Sequence, residues 1–156
     1  MRERWISYAR TLCQLGVDAV LSACSTVGAF AEEADRTLGI PVYRIDEAMC
    51  RQAVEQAGTV SVFATLSSTL EPTVDLIRRM AKRLGREVEV NTVLVEGAYE
   101  ALMDGQKDVH DDKIRKAVSQ WAPKSDVVVL AQASMASAVD ASGEAASKIL
   151  TSPRLG

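Results

Sequence analysis

Short runs of β-branched residues alternate along this chain with stretches of helical period, and that alternation leaves few architectures open. Asp18–Cys24, Ile40–Ile45, Thr59–Thr65, Glu87–Val95, Asp126–Gln132 and Lys148–Ser152 read as strands. Helices are predicted over Trp5–Leu15, ended by Gly16, over about Val27–Leu38, ended by Gly39, and from a cap at Asp46 to about Ala57. A further helix is expected from a cap at Ser68 or Thr69 to Leu84, with Gly85 after it. There Glu71 has capping-box spacing from Ser68, and Pro72 falls in the first turn. Two helical pieces precede Asp126, the second with Ile114, Ala117, Val118 and Trp121 on one face, and a last helix starts near Ser134. Strand–helix–strand alternation implies an α/β fold, with parallel sheets covered by helices on both faces. The pattern restarts after Gly58, which predicts a partial N-terminal α/β lobe (1–57) and a second α/β lobe (58–156). The first lobe holds only two predicted strands, too few to stand as a covered sheet, so it is expected to be incomplete.

Composition excludes several function classes. The net charge of −3 offers no basic field for nucleic acid or an anionic membrane surface. The densest basic run, Arg78-Arg79-Met80-Ala81-Lys82-Arg83, falls late in a predicted helix, where it complements the dipole and solvates an outer face. No apolar run reaches the roughly 18–20 residues of a membrane span. The three cysteines, Cys13, Cys24 and Cys50, lack CxxC spacing, which points to reduced thiols in a cytoplasmic setting and to neither disulfide nor zinc. No nucleotide-binding glycine motif and no GxSxG elbow is present.

In open α/β sheets ligands bind beyond the carboxyl ends of strands. Three such loops here are rich in hydroxyls and amides: Ala23-Cys24-Ser25-Thr26, Ala64-Thr65-Leu66-Ser67-Ser68-Thr69 and Ala131-Gln132-Ala133-Ser134-Met135. Each feeds a predicted helix N-terminus, a setting suited to a carboxylate. Cys24 is the sharpest single residue, since a strand end just before a helix favours thiolate. Cys13 and Cys50 sit inside helical patterns and read as buried packing residues. His110, the single histidine, precedes Asp111 and Asp112 at a helix start, where a solvated ring is expected; general-base chemistry is its alternative role. With no second histidine or cysteine near it, no metal site is expected. Asp104 with Asp108, and Glu32 with Glu33, read as ordinary exposed charges.

Taken together, the three loops resemble those of the aspartate/glutamate/hydantoin racemase superfamily. Ala23-Cys24-Ser25-Thr26 is similar to that family's Cys-Asn-Thr loop, with Ser25 where asparagine is usual. Phe63-Ala64-Thr65-Leu66-Ser67-Ser68-Thr69 resembles its Gly-Thr-x-Ala-Thr carboxylate-binding segment. Val129-Leu130-Ala131-Gln132 resembles its second cysteine loop, Leu-Gly-Cys-Thr, with Gln132 in place of the second thiol. The likeness implies two flavodoxin-like lobes with the site between them, no cofactor and no metal. It also implies Cys24 as acid/base or nucleophile on a small carboxylate or amino acid, and association of copies into a homo-oligomer. By the same resemblance, Ser25, Thr26, Thr65, Ser68, Thr69, Gln132 and Ser134 would hold and orient the substrate. Relatives begin with a further strand–helix–strand unit, so the resemblance predicts a chain truncated at its N-terminus.

An amide has no pKa suited to proton transfer, so Gln132 departs from the two-thiol pattern. Relatives doing one-sided chemistry, such as arylmalonate decarboxylation or maleate isomerisation, are nearer in logic, although the decarboxylases keep the second cysteine and not the first. Two readings remain beside each other: a one-thiol racemase or isomerase, and a carboxylate-binding protein without turnover. An unrelated flavodoxin-like or receiver-like module is a third, disfavoured by the absence of a phosphate loop or acidic cluster.

Overall fold

The computed structural model describes residues 1–139 and 148–155. Helix α1 (Arg2–Gln14) precedes strand β1 (Val20–Ser22), helix α2 (Gly28–Thr37), strand β2 (Val42–Arg44) and helix α3 (Glu47–Gln56). Then come strand β3 (Thr59–Ala64), helix α4 (Ser67–Leu84), strand β4 (Glu89–Leu94) and helices α5 (Ala98–Met103) and α6 (Lys107–Trp121). Strands β5 (Val127–Leu130) and β6 (Ile149–Thr151) and a single turn, α7 (Ser152–Leu155), complete the described chain. Tight 3-10 turns occupy Ser25–Val27 and Ala133–Ala138.

The strands form two parallel sheets, β1-β2 and β4-β3-β5-β6, as the alternation predicts. Side chains leave a strand on alternate faces, and in the larger sheet both faces are apolar because both are covered. Val60, Val62 and Ala64 of β3, with Val127 and Val129 of β5, join Met49, Ala53 and Val54 of α3 and Ile77 and Met80 of α4. Phe63, Val128 and Leu130 point the other way, into Ala98 of α5 and Ile114 and Val118 of α6. Each large aliphatic or aromatic side chain wholly buried here contributes roughly 1.5–3 kcal/mol. In the smaller sheet only one face is packed: Val20 and Val42 meet Ile6, Ala9, Ala31 and Ala34 of α1 and α2. Leu21 and Tyr43, side by side in the ladder, are each 56% exposed on the other face. The buried strand expected over Asp18–Cys24 is thus a three-residue strand with one covered face.

Buried charge sits at the end of the smaller sheet. The Arg44 guanidinium donates to both Asp46 carboxylate oxygens, at 2.9 and 2.8 Å, and also binds Glu32 of α2. Burial opposes the charge on Arg44, and the carboxylates around it more than restore it. This pairing overturns the cap expected at Asp46: α3 starts there without a side-chain cap bond, since the carboxylate is committed to Arg44. Glu32 is no ordinary exposed charge either, because it bridges Arg44 to Arg79 of α4 and so ties the two sheets' helices together. Gly28 makes room for this cluster; a Cβ there would lie 2.2 Å from the Arg44 guanidinium carbon.

The cap assigned to Ser68 or Thr69 is also corrected. Helix α4 begins at Ser67 behind an extended Leu66, with no side-chain cap, so both residues lie inside its first turn. Its other end closes on Gly85 at φ +63°, where Arg86 N–H reaches the Ala81 carbonyl, the left-handed stop that glycine supplies. The helix expected to begin near Ser134 is a 3-10 turn over Ala133–Ala138, and its expected continuation past residue 139 lies outside the described residues.

Asp126 fastens the amino ends of the two central strands. Its carboxylate accepts the N–H groups of Gly58 and Thr59, both at 2.9 Å, and these bonds hold its pKa below the usual aspartate value. A depressed pKa stabilises the fold above the unfolded pKa, and that contribution is lost as pH falls through the folded value. The stability difference between wild type and Asp126→Ala is therefore expected to be constant near neutrality and to shrink below about pH 4. Urea titrations at several pH values measure it; a gap that widens in acid would contradict this role.

Candidate active site

The chain's topology selects one location. After β3 the chain returns to one side as β4, and later to the other side as β5, so the carboxyl ends of β3 and β5 diverge at a switch point. Thr65 leaves β3 there and Gln132 comes just after β5. The Gln132 side-chain oxygen accepts both the Thr65 N–H (2.6 Å) and the Thr65 hydroxyl (3.0 Å). A backbone N–H only donates, which fixes the carboxamide oxygen on the Thr65 side and leaves Nε2 as a two-hydrogen donor on the other.

The carboxyl end of β1 faces this point from the smaller sheet. Cys24 is exposed, in extended backbone immediately before the Ser25–Val27 turn and α2. Ser25 is buried with its hydroxyl 3.4 Å from the Ala131 carbonyl, and the Thr26 hydroxyl meets that of Thr69 at 3.2 Å. The Ser25, Thr26 and Arg79–Glu32 contacts set α2 and α4 side by side, both starting at the same hollow.

That hollow is a cleft of about 260 Å³, lined by Cys24, Ser25, Thr26, Thr69 and Gln132 together with Ser152 and the apolar Ile45 and Leu66. It thus gathers five of the residues singled out from sequence. Thr65 stands just behind, holding Gln132. Ser68 and Ser134 are exposed and do not line the cleft. Ser152 was missed, although it ends a predicted strand and the same strand-end rule points to it. None of the lining side chains bears a formal charge, so an anion here would rely on hydroxyls, the Gln132 amide and N–H groups at the starts of helices.

His110 is corrected. It is fully buried, with Nδ1 2.7 Å from Asp111 and no partner for Nε2 among the described residues, and it does not line the cleft. It shares the α6 stripe with Ile114 and Val118, and that spacing carries it into the core. Among the described residues no cluster of His, Cys, Asp and Glu could hold a metal ion, and no helix is long and apolar enough to cross a membrane.

The three thiols differ sharply. Burial pushes the Cys50 thiol far above its usual value, with Asp46 adding to the rise, and Cys13 is partly covered with its sulfur 3.4 Å from the Leu38 carbonyl. Substoichiometric maleimide at neutral pH is expected to label Cys24 first and to leave Cys50 unmodified until the chain is unfolded. Peptide mass spectrometry reads this directly; early labelling of Cys50 would contradict the packing of α3.

Over residues 5–152 the sequence matches the profile of the Asp/Glu/hydantoin racemase family. No curated protein sequence matches it at a significant level. Among solved structures, it resembles allantoin racemase from Klebsiella pneumoniae at 22% identity and a TM-score of 0.62, covering 85% of this chain and 53% of that one. A glutamate racemase from Francisella tularensis in complex with D-glutamate has 18% identity and a TM-score of 0.65, with 89% and 56% covered. A variant of arylmalonate decarboxylase in a sulfate-associated form has 17% identity and a TM-score of 0.66, with 99% and 70% covered. The chain thus spans between about half and seven-tenths of the length of these structures.

Proposed function

Because this chain belongs to the Asp/Glu/hydantoin racemase family, we propose that the cleft between its sheets takes a small carboxylate or amino-acid-like substrate and exchanges its α-proton at Cys24, without a cofactor. The observation that carries this reading is the exposed thiol at a strand end, facing a cleft of hydroxyls, one amide and helix starts. The thiolate removes the α-proton, and the electron pair passes into the adjoining carbonyl as an enolate. The Gln132 amide, the one hydroxyl hydrogen that the Thr26–Thr69 pair leaves free and the N–H groups at the start of the Ser25–Val27 turn stabilise that charge, while the Ser25 hydroxyl is spent on the Ala131 carbonyl. The thiol then returns a proton to the same carbon. Thr65 acts at one remove, by holding Gln132.

Since Gln132 can neither take nor give a proton at neutral pH, the same thiol works on one face. Exchange of the α-proton with solvent is therefore expected to outrun inversion. The structural relatives act on or bind allantoin and D-glutamate, so ring ureides and acidic amino acids head the panel of substrates. The test is incubation in D2O, then mass spectrometry and chiral chromatography. Deuterium entering one of these acids ahead of its enantiomer supports the reading, and no deuterium in any of them refutes it.

The uncharged cleft wall opposite the thiol favours one further reading, a protein that binds such acids without turnover. It predicts thermal stabilisation by the ligand with no isotope exchange.

A further inference from the structure

The cleft is rich in donors and short of acceptors. Gln132 Oε1 accepts twice from Thr65, the Ser25 hydroxyl is turned to the Ala131 carbonyl, and the hydroxyls of Thr26 and Thr69 meet each other. The backbone carbonyls of Cys24, Leu66 and Gln132 are taken by the N–H groups of Val27, Thr69 and Met135. Ser152 stands apart from this pattern. The β5–β6 ladder pairs Leu130 with Thr151, and one step further it sets Ser152 beside Ala131. The residue is 3% exposed and lines the cleft. Its hydroxyl has no protein partner among the described residues, yet it is not sealed in as Ser22 Oγ, His110 Nε2 and Thr151 Oγ1 are. The small surface it keeps lies in the cleft, where a hydroxyl donates one hydrogen and accepts up to two.

We propose that Ser152 is a specificity-determining residue that accepts a hydrogen bond from an acylated nitrogen on the reacting carbon. This rests on the reading of the cleft as a carboxylate site. The carboxylate uses the donors, so an N–H on the neighbouring nitrogen has to find an acceptor. No side chain lining the cleft carries a formal charge. A free ammonium would shed water there without a counter-ion, a far greater loss than for a neutral amide. An acylated nitrogen is neutral and has one hydrogen to place, and Ser152 is the lining hydroxyl with no protein bond to give up for it. Ile45 and Leu66 offer apolar wall to a small side chain on the same carbon.

Calorimetric titration tests this separately from turnover, with three ligands: N-acetylalanine, its N-methyl analogue without the N–H, and alanine. The wild type is expected to bind N-acetylalanine most tightly, about three- to tenfold ahead of the N-methyl analogue, the range of one neutral hydrogen bond. Ser152→Ala should erase that preference while its Tm stays level or rises, because no protein hydrogen bond is lost. A Ser152→Ala chain that keeps the preference overturns the proposal. So does a wild type that binds alanine as tightly as N-acetylalanine, or that binds neither acylated acid in the millimolar range. Incubation of the same ligands in D2O keeps the two readings apart. Acylated acids that bind with a Ser152-dependent preference but exchange no α-proton refute turnover at Cys24 and leave this assignment in place. Exchange into alanine alone does the reverse.

Discussion

Under the mechanism proposed above, the Cys24→Ala variant is expected to exchange the α-proton between about a hundredfold and ten-thousandfold more slowly than wild type, the usual contribution of one positioned acid/base group. The loss should come with an unchanged melting curve, because Cys24 is exposed and makes no packing contribution that alanine would forfeit. Cys24→Ser separates two roles: a hydroxyl keeps the shape and hydrogen-bonding capacity but not the thiolate, so exchange should fall nearly as far. In contrast, Gln132→Cys places a second thiol across the cleft. It is expected to raise inversion relative to exchange, since a proton can then arrive on the opposite face. Exchange by Cys24→Ala at the wild-type rate would remove the thiol from the mechanism altogether.

The second large effect concerns stability. The Arg44 and Asp46 side chains are 3% and 1% exposed and share two hydrogen bonds. Asp46→Ala strands a guanidinium out of reach of water, and breaking a buried pair in this way costs about 3–5 kcal/mol. Glu32 still neutralises part of the charge, which sets the loss near the lower figure. For a chain of this size that lowers Tm by about 10 °C. Replacing both partners together, Arg44→Met with Asp46→Leu, removes the charge and its solvation cost at once and should recover most of the loss. Thermal denaturation decides it: if Asp46→Ala melts within a degree or so of wild type, the pair is not the anchor described above.

How far the sequence could be read depends on the range of the interactions involved. Strands such as Val127–Leu130 and helices such as α4 declare themselves through local periodicity. Cys24, Thr69 and Gln132 come to one cleft because strand ends converge by topology, which the order of elements already encodes. The failures are mostly long-range. Glu32 looks like a surface charge until α4 brings Arg79 to it, and Thr69 spends its hydroxyl on Thr26, whereas Asp46 looks like a cap and is claimed by Arg44 only two residues before it, once both are buried together. His110 is different: its spacing from Ile114 and Val118 was visible, but the acidic neighbours Asp111 and Asp112 suggested solvent. Nothing local announces the bare face of the smaller sheet, since Leu21 and Tyr43 are ordinary strand residues.

Helix α3 is written in the chain before the pattern restarts, yet Met49, Ala53 and Val54 pack on β3 and β5 of the larger sheet. Exchange of modules between relatives, whether by recombination or in the laboratory, would therefore fail at the seam that the sequence offers near Gly58. A transplant begun there leaves Val60, Val62 and Val129 facing water on one side. The graft that preserves a sealed interior carries α3 along with the strands it covers.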